Sequence, residues 1–356
     1  MTLSSLPPHT SPQAERGPEG PVERSSLAVE LDGAGAHPGA ARDSIFDPGT
    51  LVADVALAEQ AGFALVTLGD SAQPVGGGID AGVRAGYLAL SSSRIGLAPT
   101  LHVTTAEPFH LATQLASLDH ATGGRAGWVV GAQNDSDALA TVGREPLEAD
   151  ALRREVRDVV EVARALWDSW EDDAIIRDIP AGRFLDPDRV HHVNFVGDTF
   201  SVVGPLITPR PPQGQVVVLG ADTLGVTGQL DVALVGGPDV GARAERARAE
   251  GAPRVFAEVE VLLDAAEPAA DRLAALGPWP VSDRLRHVGS LDALAALLDR
   301  LAAVVDGVRL HPAEIAVDLP LLAARLAETG TGPAPGPTLR DVLGLPRPAN
   351  RFATTA

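Results

Sequence analysis

The chain has 356 residues, 28 basic and 47 acidic, for a net charge of −19. Every basic residue is arginine and there is no cysteine, which excludes Schiff-base and P-loop lysines, thiol nucleophiles, disulfides and thiolate metal sites. The acidic balance opposes a phosphate backbone, so no nucleic-acid partner is expected, and 45% hydrophobic residues suffice for one large domain or two medium ones.

Residues 1–26 carry Pro, Ser, Glu and Gly without an apolar h-region, and read as a disordered tail, not a secretory signal. No apolar run is long enough to span a membrane, so a cytoplasmic protein without membrane partners is expected. Leu27–Leu31 reads as a strand, followed by a Gly/Ala/Pro loop to Asp47 and helical periodicity over Thr50–Ala61. Phe63–Leu68 is a second strand ending at Gly69-Asp70, and Arg94–Leu101 a third. A helix from about Pro108 to Ala121 stops at Gly123-Gly124, as glycine C-caps do. Gly127–Gly131 is the fourth strand.

The strongest helix is Ala151–Trp170. Val156, Val159, Val160, Ala163, Leu166, Trp167 and Trp170 form one stripe, while Arg153, Arg154, Arg157 and Glu161 face away. Asp172–Pro212 breaks the rhythm, with an acidic start and β-like pieces at Val190–Phe195 and Thr199–Val203, and is longer than an ordinary loop. Val216–Gly220, Asp231–Gly236, Val255–Leu263 and Gly307–Leu310 complete a set of eight strands, with helices such as Leu291–Val304 between them. This alternation predicts an α/β fold, a (β/α)8 TIM-type barrel with an extended insertion between residues 172 and 212. An open doubly wound sheet is the rival, weakened by the lack of Gly-x-Gly-x-x-Gly after the first strand. Thr329–Pro337 reads as a linker to a terminal piece whose helix-like Leu339–Leu343 packs back on the barrel, making residues 27–356 one domain.

Five strings stand in order along the chain: Glu107-Pro108-Phe109-His110-Leu111-Ala112 with Ala116-Ser117-Leu118-Asp119-His120-Ala121-Thr122-Gly123-Gly124-Arg125-Ala126-Gly127-Trp128; Leu166-Trp167-Asp168-Ser169-Trp170-Glu171-Asp172-Asp173-Ala174; Val202-Val203-Gly204-Pro205-Leu206; Pro212-Gln213-Gly214; and Leu343-Gly344-Leu345-Pro346-Arg347-Pro348-Ala349-Asn350-Arg351-Phe352. With them the chain resembles, from about Leu27 to Phe352, the luciferase-like flavin-dependent monooxygenases, in the branch of nitrilotriacetate and dibenzothiophene-sulfone monooxygenases. The resemblance implies a barrel that binds reduced FMN at the C-terminal strand ends, a separate flavin reductase that supplies it, O2 as oxidant, a small organic substrate and a homodimer. A deazaflavin is the alternative cofactor. A chain without Lys or Cys can serve such chemistry, because the cofactor carries it while the protein positions it and excludes water.

The same resemblance places cofactor-binding candidates at Asp70, Thr100, His102, Arg153 and Thr223 and a catalytic candidate at His37, and His311 is a second catalytic candidate from its place just after the eighth strand, the catalytic end of a barrel. An imidazole titrates near neutrality and suits proton transfer. Blander roles stand beside these: Asp70 as a helix N-cap, Arg153 on a solvated helix face, loop histidines bonded to backbone. His110, His120, His191 and His192 read as structural, and no histidine spacing makes a metal site. Where the family has Asn after Gly-Trp, this chain has Val129; where it has Arg-Tyr, Leu152-Arg153; where it has Trp before Arg42, Ala41. Gly220-Ala221-Asp222-Thr223-Leu224 replaces Gln-Ala-Gly-Ser-Ser at the phosphate loop, and an acid there repels a phosphate. A catalytically degenerate, cofactor-poor paralogue acting as a binding or partner subunit is therefore the alternative. Three geometric expectations follow: the insertion walls the pocket on the C-terminal face, Arg153 is the only cation near the phosphate loop, and Ala98-Pro99 is cis, as the family's third strand commonly is.

Overall fold

The computed structural model describes residues 26–41, 47–74, 77–327 and 333–353. The tail expected over residues 1–26 falls almost wholly outside them, as does part of the linker expected over 329–337. Eight parallel strands close on themselves: β1 (Ser26–Glu30), β2 (Leu65–Leu68), β3 (Gly96–His102), β4 (Gly127–Gly131), β5 (Val217–Ala221), β6 (Val232–Val235), β7 (Arg254–Leu263) and β8 (Gly307–Pro312). Each pairs with the next, and β8 pairs with β1 from Ser26↔Gly307 to Val29↔Leu310. The expected (β/α)8 barrel is therefore the observed fold.

Helices α1 (Pro48–Ala61), α2 (Ala81–Leu88), α3 (Pro108–Thr122), α4 (Ser136–Ala140), α5 (Ala149–Trp167), α6 (Val240–Ala249), α7 (Ala269–Leu276), α8 (Leu291–Ala302) and α9 (Ile315–Ala327) lie between or after the strands. The punctuation is local chemistry. In α3, Pro108 occupies the first turn, Glu107 accepts the Phe109 and His110 amides, and left-handed Gly123 ends the helix. The outward-facing strand residues pack against the helices, including Val29, Val66, Leu97, Trp128, Val218 and Val259 with Val159 and Leu166. Inside the barrel a second apolar layer contains Ala28, Leu65, Ala98, Val129, Leu219, Leu234 and Phe256. The terminal helix α10 (Leu339–Val342) seals the N-terminal end of that layer with Leu339, Leu343 and Leu345, as the sequence suggested.

Two expectations are corrected. The Ala98-Pro99 peptide is trans; the cis peptide among the described residues is Gly204-Pro205. Pro99 lacks a ladder donor, and the β3–β4 ladder is interrupted there, between the Leu97↔Ala126 bridge and Thr100↔Val129, so a trans bond is accommodated. The insertion does not wall the pocket. It leaves the C-terminal end of α5 and returns to the N-terminal end of β5, so its roots lie at the opposite, N-terminal face. There Arg210 pairs with Asp168 and the Trp170 indole donates to the Leu206 carbonyl. Its hairpin of Phe195–Val196 and Ser201–Val202 climbs the outer side of α5, where Thr199 donates to Glu155 and Asp158 accepts the Asp198 amide at 3.0 Å.

Candidate active site

Alternation along a barrel strand points every second side chain inward. Above the apolar layer, toward the C-terminal mouth, this rule gathers Glu30 and Thr67 with Glu258, Glu260, Arg309 and His311 into a charged belt. Arg309 donates to Glu258 at 2.9 Å, to the Thr67 hydroxyl at 2.9 Å and to Glu30. Burial pushes its guanidinium down to about 9, still above neutrality, so it remains a cation. His311, 1% exposed, lies between the same two acids: Nδ1 is 3.3 Å from Glu30 and Nε2 3.2 Å from Glu258. Burial lowers the His311 pKa to about 3, against the pull of the Glu258 carboxylate. Burial would raise Glu258, but the hydrogen bond from His311 holds it below the usual carboxylate range. A neutral imidazole has one donor. With Nε2–H given to Glu258, the contact between Nδ1 and Glu30 is attractive only when a proton lies between them. His311 is thus a neutral imidazole held between two acids at the barrel mouth.

His37, in the loop after β1, accepts the Gly39 amide on Nδ1 at 2.9 Å, which assigns the proton to Nε2. That Nε2 has no hydrogen-bond partner although the residue is only 2% exposed. Its ring meets the edge of Trp279 at 5.0 Å. Trp279 belongs to residues 277–284, a strap between α7 and an additional strand, Leu285–Gly289, that extends the sheet beside β7. Leu262, on the inward side of β7, packs with Ala269, Leu273, Leu276 and Trp279, so α7 and the strap cross the mouth. Gly236, at the end of β6, has no room for a Cβ because the Asp283 carbonyl presses on it. The mouth is walled by this strap, a segment that its sequence did not mark.

The other candidate residues are placed as follows. Asp70 accepts the Ser71 amide at 2.8 Å and the Ala81 amide at 3.1 Å, fixing the loop after β2. His102 accepts the Gln133 amide on Nδ1 at 3.2 Å and so donates from Nε2 to the Asp70 carbonyl at 3.0 Å, tying the ends of β2, β3 and β4 together. Thr100 is half-buried on the inner side of β3. Arg153 is half exposed and paired with Asp150, but its stem lies against the loop after β5: a Cβ on left-handed Gly225 would come within 2.6 Å of its Cδ. Thr223 is exposed on the same loop.

Asp222 is not a bare charge beside that loop. Arg243 grips it with Nε at 2.9 Å and a second, shorter contact from Nη2, and Arg246 approaches at 3.8 Å. Arg243 also holds Asp283 of the strap at 2.7 Å. The expectation that Arg153 is the only nearby cation is thus corrected. Asp222 and Arg243 stand on different barrel units, 21 residues apart, and only the adjacency of β5 and β6 brings them together. His110 and His120 are exposed on α3, His191 pairs with Glu171 at 2.8 Å, and His192 bonds the Gly204 carbonyl at 2.8 Å. Among the described residues no group of His, Asp and Glu could hold a metal ion, and no helix is long and apolar enough to cross a membrane.

The closed eight-stranded barrel agrees with what similarity shows. Residues 27–301 match the luciferase-like monooxygenase family, and the chain belongs to it. It is 46% identical over 139 residues to N-acetyl-S-(2-succino)cysteine monooxygenase of Bacillus subtilis, covering 39% of this chain and 32% of that protein. It is 31% identical over 309 residues to a pristinamycin IIA synthase component of Streptomyces pristinaespiralis, covering 86% of this chain and 92% of the relative. The chain spans about a third of the length of the first curated relatives it matches, dibenzothiophene-sulfone monooxygenase of Rhodococcus erythropolis among them. In fold it is similar to EDTA monooxygenase from Chelativorans sp. BNC1, with a TM-score of 0.74, 21% identity, and 91% and 99% of the two chains covered. A long-chain alkane monooxygenase structure gives a TM-score of 0.76 at 19% identity, covering 90% of this chain and 96% of the other.

Proposed function

We propose that this chain is the oxygenase component of a two-component monooxygenase, taking reduced FMN from a separate flavin reductase and using O2 to oxygenate a small organic substrate. The observation that carries the reading is the loop after β5. Asp222, which made the phosphate site look defective, is neutralised by Arg243, leaving the exposed Thr223 hydroxyl, the backbone beside Gly225, and Arg153 and Arg246 toward solvent. That donor set fits a phosphate. Thr100 and the His102-fixed ends of β2 and β4 then line the ring side.

When bound, reduced flavin supplies the electrons that activate O2; the remaining tasks fall to the protein. The strap excludes water, His37 presents an unused N–H, and the belt of Glu30, His311 and Glu258 holds or releases a proton. We further propose a homodimer through α2 and the turn that follows it, where Val83, Tyr87 and Leu90 are 58%, 54% and 91% exposed. Together they form an exposed apolar patch that a second copy can cover without setting like charges face to face.

Anaerobic titration with reduced FMN, with a reduced deazaflavin in parallel, tests the reading. A micromolar dissociation constant for FMN is expected; no binding at millimolar flavin, weaker than about −4 kcal/mol, contradicts it, and preference for the deazaflavin changes the cofactor.

A further inference from the structure

Two segments of the barrel mouth meet on a single side chain. Arg243, 7% exposed on α6, donates to Asp222 of the loop after β5 through Nε at 2.9 Å and through Nη2. Through Nη1 it donates to Asp283 of the strap at 2.7 Å and to the Gly236 carbonyl at 3.1 Å, at the end of β6. A guanidinium has five donors, so these four bonds leave it one N–H.

The two acids it holds are unlike. The Asp222 side chain is 7% exposed and would be stranded without its cation, whereas that of Asp283 is 67% exposed and meets water when released. The bond to Asp222 is therefore the fixed one and the bond to Asp283 the exchangeable one. The strap is also fastened without Arg243. Arg286 donates to Glu260 at 2.8 Å and to the Pro280 carbonyl at 2.7 Å, and its guanidinium lies 4.3 Å from the Trp279 ring centroid. Loss of the Asp283 bond thus frees the side of the strap over β6 and leaves the Trp279 side shut.

The charges around Arg243 do not balance. Asp222 and Asp283 set two negative charges against its one, and Arg246 reaches Asp222 only at 3.8 Å with a side chain 57% exposed. A phosphate beside Thr223 and Gly225 brings more negative charge to the same cation. Anions that share one cation compete for it.

We infer that Arg243 is a positioning residue shared by the phosphate loop and the strap. A phosphate on the loop and the Asp283 carboxylate draw on the same guanidinium, so filling the loop loosens the β6 side of the strap. Conversely, removing the Asp283 carboxylate strengthens the loop's hold on phosphate. The inference rests on the phosphate reading of that loop. Linkage makes the two effects equal in size, and solvent screening of the exposed Asp283 sets that size at about threefold.

The test compares reduced FMN with reduced riboflavin, which share the ring and differ by the phosphate, in anaerobic titrations of the full chain and of Asp283→Asn. The variant should raise the preference for FMN over riboflavin by about threefold, and Asp283→Glu should keep the unmodified preference. Circular dichroism should show both variants folded. Hydrogen exchange of residues 280–285 in the unmodified chain should be faster with FMN bound than with riboflavin bound, and that difference should vanish in Asp283→Asn. An unchanged or lowered preference in Asp283→Asn overturns the inference. So does equal weakening of both flavins, which makes Asp283 a mere prop of the strap, and so does strap exchange no faster with FMN than with riboflavin. In each of these cases an unmodified chain that prefers FMN keeps its phosphate site. If the unmodified chain binds the two flavins equally, or binds neither, the phosphate reading fails and the inference falls with it.

Discussion

The two ends of the barrel bury charge in opposite ways. At the N-terminal end Asp231 receives Arg164 at 3.0 Å, Arg340 through both of its terminal nitrogens, and the Val218 amide at 2.9 Å. Asp168 receives Arg210 twice and Gln215 once, and Arg125 spends its donors on Thr122, Ile95 and Ser92. These arginines are saturated, and the tail closes over them. At the C-terminal end the belt is also buried but incompletely satisfied: His37 keeps an idle N–H, and His311 faces two acids with one proton of its own. Saturated charge at one end stabilises the fold; unsaturated charge at the other is available to ligands.

The comparison breaks most visibly at Asp231. Asp231→Ala strands two buried arginines and should cost about 3–5 kcal/mol in chemical denaturation. Burial would raise the Asp231 pKa, but Arg164 and Arg340 hold it below the usual range. Its contribution is therefore present above the unfolded carboxyl pKa of about 4 and lost as pH falls through the lower folded value. Asp119, at the same end, has the opposite sign. Burial raises its pKa to about 6 despite the Ala126 and Gln213 hydrogen bonds. The folded state then binds the proton more tightly, so stability falls by about 2–3 kcal/mol as pH rises from about 4 to above 6. Asp119→Asn should flatten that segment of the profile; an unchanged slope means that another group produces it.

At the mouth, effects should move from stability to binding. Arg153→Ala should leave the melting temperature nearly unchanged and weaken reduced FMN by about 1–2 kcal/mol, since Arg243 and Arg246 share the loop. The smallest stability effect is expected on the exposed apolar patch of α2 and the turn after it. Leu90→Glu should change stability by no more than about 0.5 kcal/mol yet shift the sedimentation of the protein from dimer to monomer; a monomer before substitution excludes that interface.

The barrel was legible because its strands are short apolar runs separated by punctuation that acts locally, such as Glu107-Pro108 and Gly123. All eight strands stand where the apolar runs place them, within a residue or two at their ends. Topology was less legible. The insertion's length suggested a functional loop, but what decides its face is that it joins a helix end to a strand start. Long-range pairing was not legible at all. Nothing near Asp222 announces Arg243, and Pro278-Trp279-Pro280 reads as an ordinary loop until the extension of β7 and Leu262 give it a surface to cross. At the candidate site, sequence reached residues by position on strand ends but not their partners, which decide whether an imidazole such as His102 is occupied or, like His37, idle.

The central claim is that the arginine-clamped loop after β5 is a working phosphate site. It is tested most directly by comparing reduced FMN with reduced riboflavin, which differ by that phosphate, in anaerobic titrations of the same protein. The account predicts that FMN binds at least about tenfold more tightly, about 1.4 kcal/mol. Equal affinity for the two flavins would contradict it.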